Sequence, residues 1–117
     1  MVIAQPPVRV LLAGDDPGLG EVLDKYLTSR GHRVTRVADG RAALRALRSQ
    51  PFDVALLGIA LAELDGLEVL RQARAEPAPP ECVIFTGHGT LDMAGAAMRL
   101  GAYDVMARPY LLAAIDA

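Results

Sequence analysis

A chain of 117 residues with 52% hydrophobic, 22% charged and 4% aromatic side chains and mean hydropathy +0.27 is one domain in size and too apolar for intrinsic disorder. Fourteen acidic against twelve basic side chains give a net charge of −2, so no basic surplus points to nucleic acid. The single cysteine, Cys82, excludes an internal disulfide, and with only two histidines a structural zinc site has too few ligands.

The chain alternates short apolar runs with longer amphipathic segments. Val8–Ala13 reads as a buried strand after Pro6-Pro7. Asp16-Pro17 then starts a helix with Leu19, Val22, Leu23, Tyr26 and Leu27 at helical spacing, stopped by Gly31. Arg33–Ala38 mixes charged and apolar residues, as a half-exposed edge strand does. Asp39-Gly40 opens a second helix with Ala43, Leu44 and Leu47 on one face, ending before Pro51. Phe52–Ile59 reads as a third strand, apolar apart from Asp53 and so buried on both faces. A loop through Glu63–Gly66 leads to a helix carrying Leu67, Leu70 and Ala73, and Pro77, Pro79 and Pro80 end it. Cys82–Thr86 is a fourth strand, Thr90–Leu100 a fourth helix closed by Gly101, and Tyr103–Ala107 a fifth strand. Arg108-Pro109 begins a last helix that the sequence cuts short at Ala117. Five strands alternating with five helices demand a parallel sheet covered on both faces. In such sheets the functional crevice lies at the carboxyl ends of the strands. Gly14, Asp15, Asp16, Gly58, Thr86 and Arg108 fall there.

The longest uncharged apolar run, Val54–Ala62, is nine residues, half of a membrane span. Met1–Pro7 lacks the basic start and apolar stretch of a signal peptide. A cytoplasmic location without membrane contact is expected. Arginine occurs eleven times and lysine once, a bias against which any single Lys-to-Arg difference is weighed.

These motifs resemble the receiver domain of two-component response regulators over almost the whole chain. Val10–Pro17 looks like the opening strand and acidic turn, and Phe52–Leu57 like the strand that leads to the phosphoacceptor. Leu64–Leu70, Thr86–Thr90, Gly101–Asp104 and Arg108-Pro109 complete the pattern in order. The resemblance implies an α/β, flavodoxin-like, doubly wound five-stranded parallel sheet of order 2-1-3-4-5, with residues 1–117 as one receiver-like domain. It also implies a fifth helix that is cut short and an effector domain beyond it.

In that family a partner histidine passes a phosphoryl group to an aspartate beside Mg²⁺, a hard cation held by carboxylates and waters. Position by position, the first acid of the pocket falls on Gly14. The second, a direct metal ligand, is kept as Asp15, the only residual ligand. Asp16 falls on the next position and reads as the cap of the first helix. The phosphoacceptor falls on Gly58, Thr86 is kept, and the lysine becomes Arg108. The aromatic switch position becomes Val105, and the proline after the acceptor becomes Ala62. Glycine has no side chain to phosphorylate. Asp53 lies five residues back, roughly 17 Å away at strand rise. A pocket of Asp15 and Arg108 is formally neutral, so Mg²⁺ binding is expected to be weak or absent and no other cofactor is implied. Arg108 reads either as compositional drift or as filling the space left by the two glycines, where it would pair with Asp15.

In the fourth helix, Leu91, Ala94, Gly95 and Met98 are expected to face inward, and Met93, Ala96, Ala97 and Leu100 to form an outer stripe for a partner; an Ala-rich helix in an Ala-rich protein is the alternative. His88 reads as a solvated loop residue, His32 carries no signal, and Cys82 reads as a small buried hydrophobe. The resulting expectation is a degenerate receiver: no enzyme, no catalytic residues, acting through protein contacts. Its partners would be a sensor histidine kinase or its own effector, with a possible homodimer through the fourth helix, fifth strand and fifth helix. The alternatives are an ordinary phosphorylated switch using another acid and a flavodoxin-like cofactor protein. The latter fits poorly, because the acids of Gly14-Asp15-Asp16-Pro17 would repel a phosphate.

Overall fold

The computed structural model describes residues 8–14, 17–58, 61, 63–86 and 91–107. The elements are β1 (Arg9–Ala13), α1 (Pro17–Ser29), β2 (Arg33–Val37), α2 (Gly40–Ser49), β3 (Val54–Gly58), α3 (Gly66–Arg74), β4 (Glu81–Thr86), α4 (Leu91–Arg99) and β5 (Asp104–Ala107). All strand pairs are parallel, and the order is β2-β1-β3-β4-β5. This is the expected doubly wound sheet. The expected fifth helix falls outside the described residues.

Alternation along each strand divides the core in two. Leu11, Ala13, Ala55, Leu57 and Ile84 point to one face and pack with Ala43 and Leu44 of α2, Val69, Leu70 and Ala73 of α3, and Ala97 of α4. Val10, Leu12, Leu56, Val83 and Phe85 point to the other and meet Leu23 and Leu27 of α1. The central strands are therefore apolar on both faces, while β2 at the edge carries exposed Arg33 and Arg36. Each fully buried leucine contributes about 1.5–3 kcal/mol over its exposed state.

Strands β1, β2, β3 and β5 are a little shorter than the sequence suggests, and β4 starts one residue earlier, at Glu81. Val8 lies outside β1, its N–H donating to His32 Nδ1 at 3.1 Å. Asp53 precedes β3, its carboxylate taken up by Arg9. The starts of α2 and α3 are capped by aspartates. Asp39 accepts from the Ala42 N–H at 2.8 Å, and Asp65 from the Glu68 N–H at 3.0 Å.

Two helix ends share one geometry with wider consequences. Gly31 and Gly101 have φ of +91° and +99°. After α1 the Gly31 N–H donates to Thr28 O and the His32 N–H to Leu27 O; after α4 the Gly101 N–H donates to Met98 O and the Ala102 N–H to Ala97 O. Both are Schellman turns, in which the residue after the glycine folds back against the residue three before the cap. His32 is consequently buried, and Ala102 is buried in the same cluster as Ala97.

That turn corrects the expected phase of α4. Ala97 is 0% exposed and lies in the core, with Met93 and Leu100 packed against it, whereas Met98 is 50% exposed. Met93, Ala97 and Leu100 are therefore the inward stripe and not an outer one, and Ala96 is half-buried. Both stripes have helical spacing, so periodicity alone does not choose between them. The turn at Gly101 does, by pinning Ala97 to Ala102.

Candidate functional site

The carboxyl ends of β1, β3, β4 and β5 lie side by side. Ala13 pairs with Leu57, Gly58 with Phe85, and Thr86 with Ala107. Gly14 follows directly after β1, and its N–H donates to Val37 O at 3.2 Å. The sheet thus brings Gly14, Gly58 and Thr86 to one edge, as expected. Asp15, Asp16 and Arg108, and with them the expected Asp15–Arg108 pair, lie outside the described residues, as do His88 and Ala62.

Neither glycine of this edge is demanded by the backbone. Among the described glycines only Gly31 and Gly101 have positive φ. A Cβ at Gly14 would have nothing within 4 Å. One at Gly58 would sit 3.4 Å from Leu61 Cδ2, 3.5 Å from Ala13 O and 3.7 Å from Gly14 Cα, all ordinary contacts. Gly40 is the opposite case: there a Cβ would fall 1.8 Å from the Leu64 carbonyl oxygen, so α2 meets the loop after β3 backbone to backbone.

Thr86 is 4% exposed and its hydroxyl is satisfied, since no buried side-chain polar atom among the described residues lacks a partner. Val105, on β5 opposite Ile84, is half-buried and packs against the cluster that contains Ala97. A short branched side chain at this position is already seated.

The described acids nearest in sequence to residue 58 are committed elsewhere. Asp53 stands at the amino end of β3, where Oδ2 accepts from the Arg9 N–H at 2.8 Å and from Arg9 Nε at 3.2 Å. The Arg9 side chain and backbone hydrogen bonds hold its carboxyl below the usual range. Asp65 caps α3, and Glu63, at φ +71°, faces Arg41 at 3.4 Å. Glu68 bonds Arg71 and Gln72, Arg71 foremost, and falls to about 2. No group of three His, Cys, Asp or Glu placed to hold a metal ion occurs among the described residues. With glycine at 14 and 58, the described residues do not fit Mg²⁺, which requires oxygen ligands.

One residue to which the sequence reading gave no role, His32, has one in the fold. His32 serves as a buried acceptor for the amide that leads into β1. Cys82 is fully buried, its Sγ 3.5 Å from Pro80 O, and burial pushes its thiol up to about 11. It is the small buried hydrophobe expected.

The response regulator receiver domain family matches residues 10–117, and the chain belongs to that family. It is 37% identical over 110 residues to the transcriptional regulatory protein QseB of Haemophilus influenzae, and 40% identical over 115 residues to the transcriptional activator protein PfeR of Pseudomonas aeruginosa. These alignments span 94% and 98% of this chain but only 50% and 37% of those proteins, so the chain corresponds to half or less of each. Among solved structures it resembles the receiver domain of NtrX from Brucella abortus, with 27% identity, TM-score 0.83, and coverage of 91% and 90% of the two chains. The fold also matches the receiver domain of a LuxO repressor protein from Vibrio parahaemolyticus at TM-score 0.87 and 24% identity, over 94% and 85% of the two chains. No described helix is long and apolar enough to cross a membrane.

Proposed function

We propose that this chain is a pseudo-receiver: a signalling module of a two-component response regulator that works by protein contact and takes no phosphoryl group at residue 58. The observation that carries the reading is Gly58 at the end of β3, a position without a nucleophile, beside Gly14, a position without a ligand. No described acid stands in: Asp53 is held by Arg9 at the other end of the sheet, and Asp65 is spent on a helix cap. The seated Val105 supports a module held in one state.

In this reading the domain is not an enzyme, acts in the cytoplasm and does not itself bind nucleic acid. It hands a signal between a histidine kinase and an effector domain, or pairs with a second copy through α4 and β5. With Met93, Ala97 and Leu100 turned inward, the contact residues on that surface are Met98 and Tyr103, 50% and 48% exposed. The curated relatives, named as transcriptional regulators, support an effector that acts in transcription.

The test is incubation with acetyl phosphate and MgCl₂ followed by intact mass measurement. The mass should not change. A stoichiometric phosphate adduct would overturn the proposal in favour of an ordinary switch that uses another acid.

A further inference from the structure

The outer face of α2 carries charge that the fold does not use. Arg41, Arg45 and Arg48 recur at i, i+4 and i+7, so at roughly 100° and 1.5 Å per residue they share an arc of about 60° over a length of about 10 Å. All three are exposed, and Gly40–Ser49 contains no acid. Like charges three and four residues apart destabilise a helix, and Arg41 also stands in the first turn, at the positive end of the helix dipole. Neighbouring elements fix the two ends of the stripe and leave its middle open. Arg41 faces Glu63 at 3.4 Å. Arg48 donates to Gln72 Oε1 at 2.9 Å and faces Glu76 at 4.0 Å. The Arg45 side chain has no hydrogen-bond or ion-pair partner among the described residues.

We propose that this stripe docks an acidic helix of a partner protein, with a carboxylate of that helix on Arg45. A guanidinium takes a carboxylate in a planar, two-bond grip. Ala42 and Ser49 lie beside the stripe, and their small side chains let a second helix come close. Nucleic acid suits the face less well. A phosphate backbone following the stripe would meet Glu63 and Glu76 as well as the arginines, in a chain of net charge −2. A second copy offers no match either. No described helix holds more than two acids, and the two on α1 are engaged, Glu21 with Lys25 and Asp24 with Thr28. The proposal stands on the charge and spacing of α2 and is independent of what residue 58 can accept.

The probe is a synthetic alanine-based helical peptide with glutamates at i, i+4 and i+7, with its glutamine counterpart as control. Each is titrated at low salt into the ¹⁵N-labelled chain, and amide chemical shifts are followed. The glutamate peptide should shift the amides of α2. Its affinity should fall at least about threefold in Arg45→Gln and at least about tenfold in Arg41→Gln/Arg45→Gln/Arg48→Gln, and stay unchanged in Arg33→Gln on β2. Arg45→Gln should melt no lower than the parent, because it relieves like charges and breaks no bond. No shifts in α2 at millimolar peptide, an equal response to the glutamine peptide, or parent-like binding by Arg45→Gln would each overturn the proposal. A short single-stranded DNA that binds α2 more tightly than the glutamate peptide overturns it in favour of nucleic acid. Self-association of the chain that Arg45→Gln abolishes overturns it in favour of a second copy.

Discussion

Replacing Gly101 with alanine attacks the turn that sets which side of α4 meets the core. An L-residue in the left-handed region costs about 1–2 kcal/mol, and residue 101 sits there at φ +99°. The new Cβ would also lie 2.8 Å from Arg74 Nε and 3.3 Å from its Cδ. Arg74 is an exposed, flexible side chain that can swing aside, so the backbone term dominates. Near this size each kcal/mol moves the melting midpoint by roughly 4–8 °C, so a drop of several degrees or more is expected. Gly101→Asn carries the same Cβ but tolerates the left-handed region, and should lose less. Gly14→Ala, with open space and no positive φ, should hold its midpoint or gain about 0.4–1 kcal/mol through a less free unfolded chain. Thermal melts of the three variants decide the matter. If Gly101→Ala melts like Gly14→Ala, the turn does not hold α4 in place and the account of its phase fails.

Asp53→Asn should lower the midpoint near neutral pH, with a deficit that shrinks as pH falls. The folded carboxyl titrates below its ordinary value of 3.8, so its contribution is present above that value and lost as pH falls through the folded one. Melts of both chains from pH 7 to 3 check this, and a constant gap contradicts it. Because the Asp53 side chain is 42% exposed, the effect should be small. Cys82, with its thiol raised to about 11 by burial, should resist thiol reagents in the native chain at pH 8 and react fully in denaturant. Rapid native labelling would show that β4 opens.

Much of the fold was legible because it rests on local signals. Three apolar runs became the central strands β1, β3 and β4, Asp39 opened α2, and Arg33 and Arg36 marked β2 as an edge. The phase of α4 was misread because its alanines and methionines offer two stripes at the same spacing. The deciding signal was present in Gly101: a glycine stop of this type folds the next residue back onto the residue three before the cap, here Ala97. The same rule at Gly31 would have shown that His32 is buried. At the candidate site the absence of a nucleophile at residue 58 was legible from identity alone. Whether the fold requires glycine there was not, since that turns on atoms brought close by β1 and the loop at Leu61.

The contact between Gly40 and the Leu64 carbonyl has a mechanical consequence. Side chains at a joint can be exchanged or repacked, but a joint of two backbones offers nothing to exchange. The start of α2 and the loop at Leu64 are therefore joined with no side chain to exchange, and Arg41 and Glu63 stand 3.4 Å apart beside the joint. A force applied to the outside of α2 reaches Leu64 through one backbone contact, with no soft side chain between to absorb it.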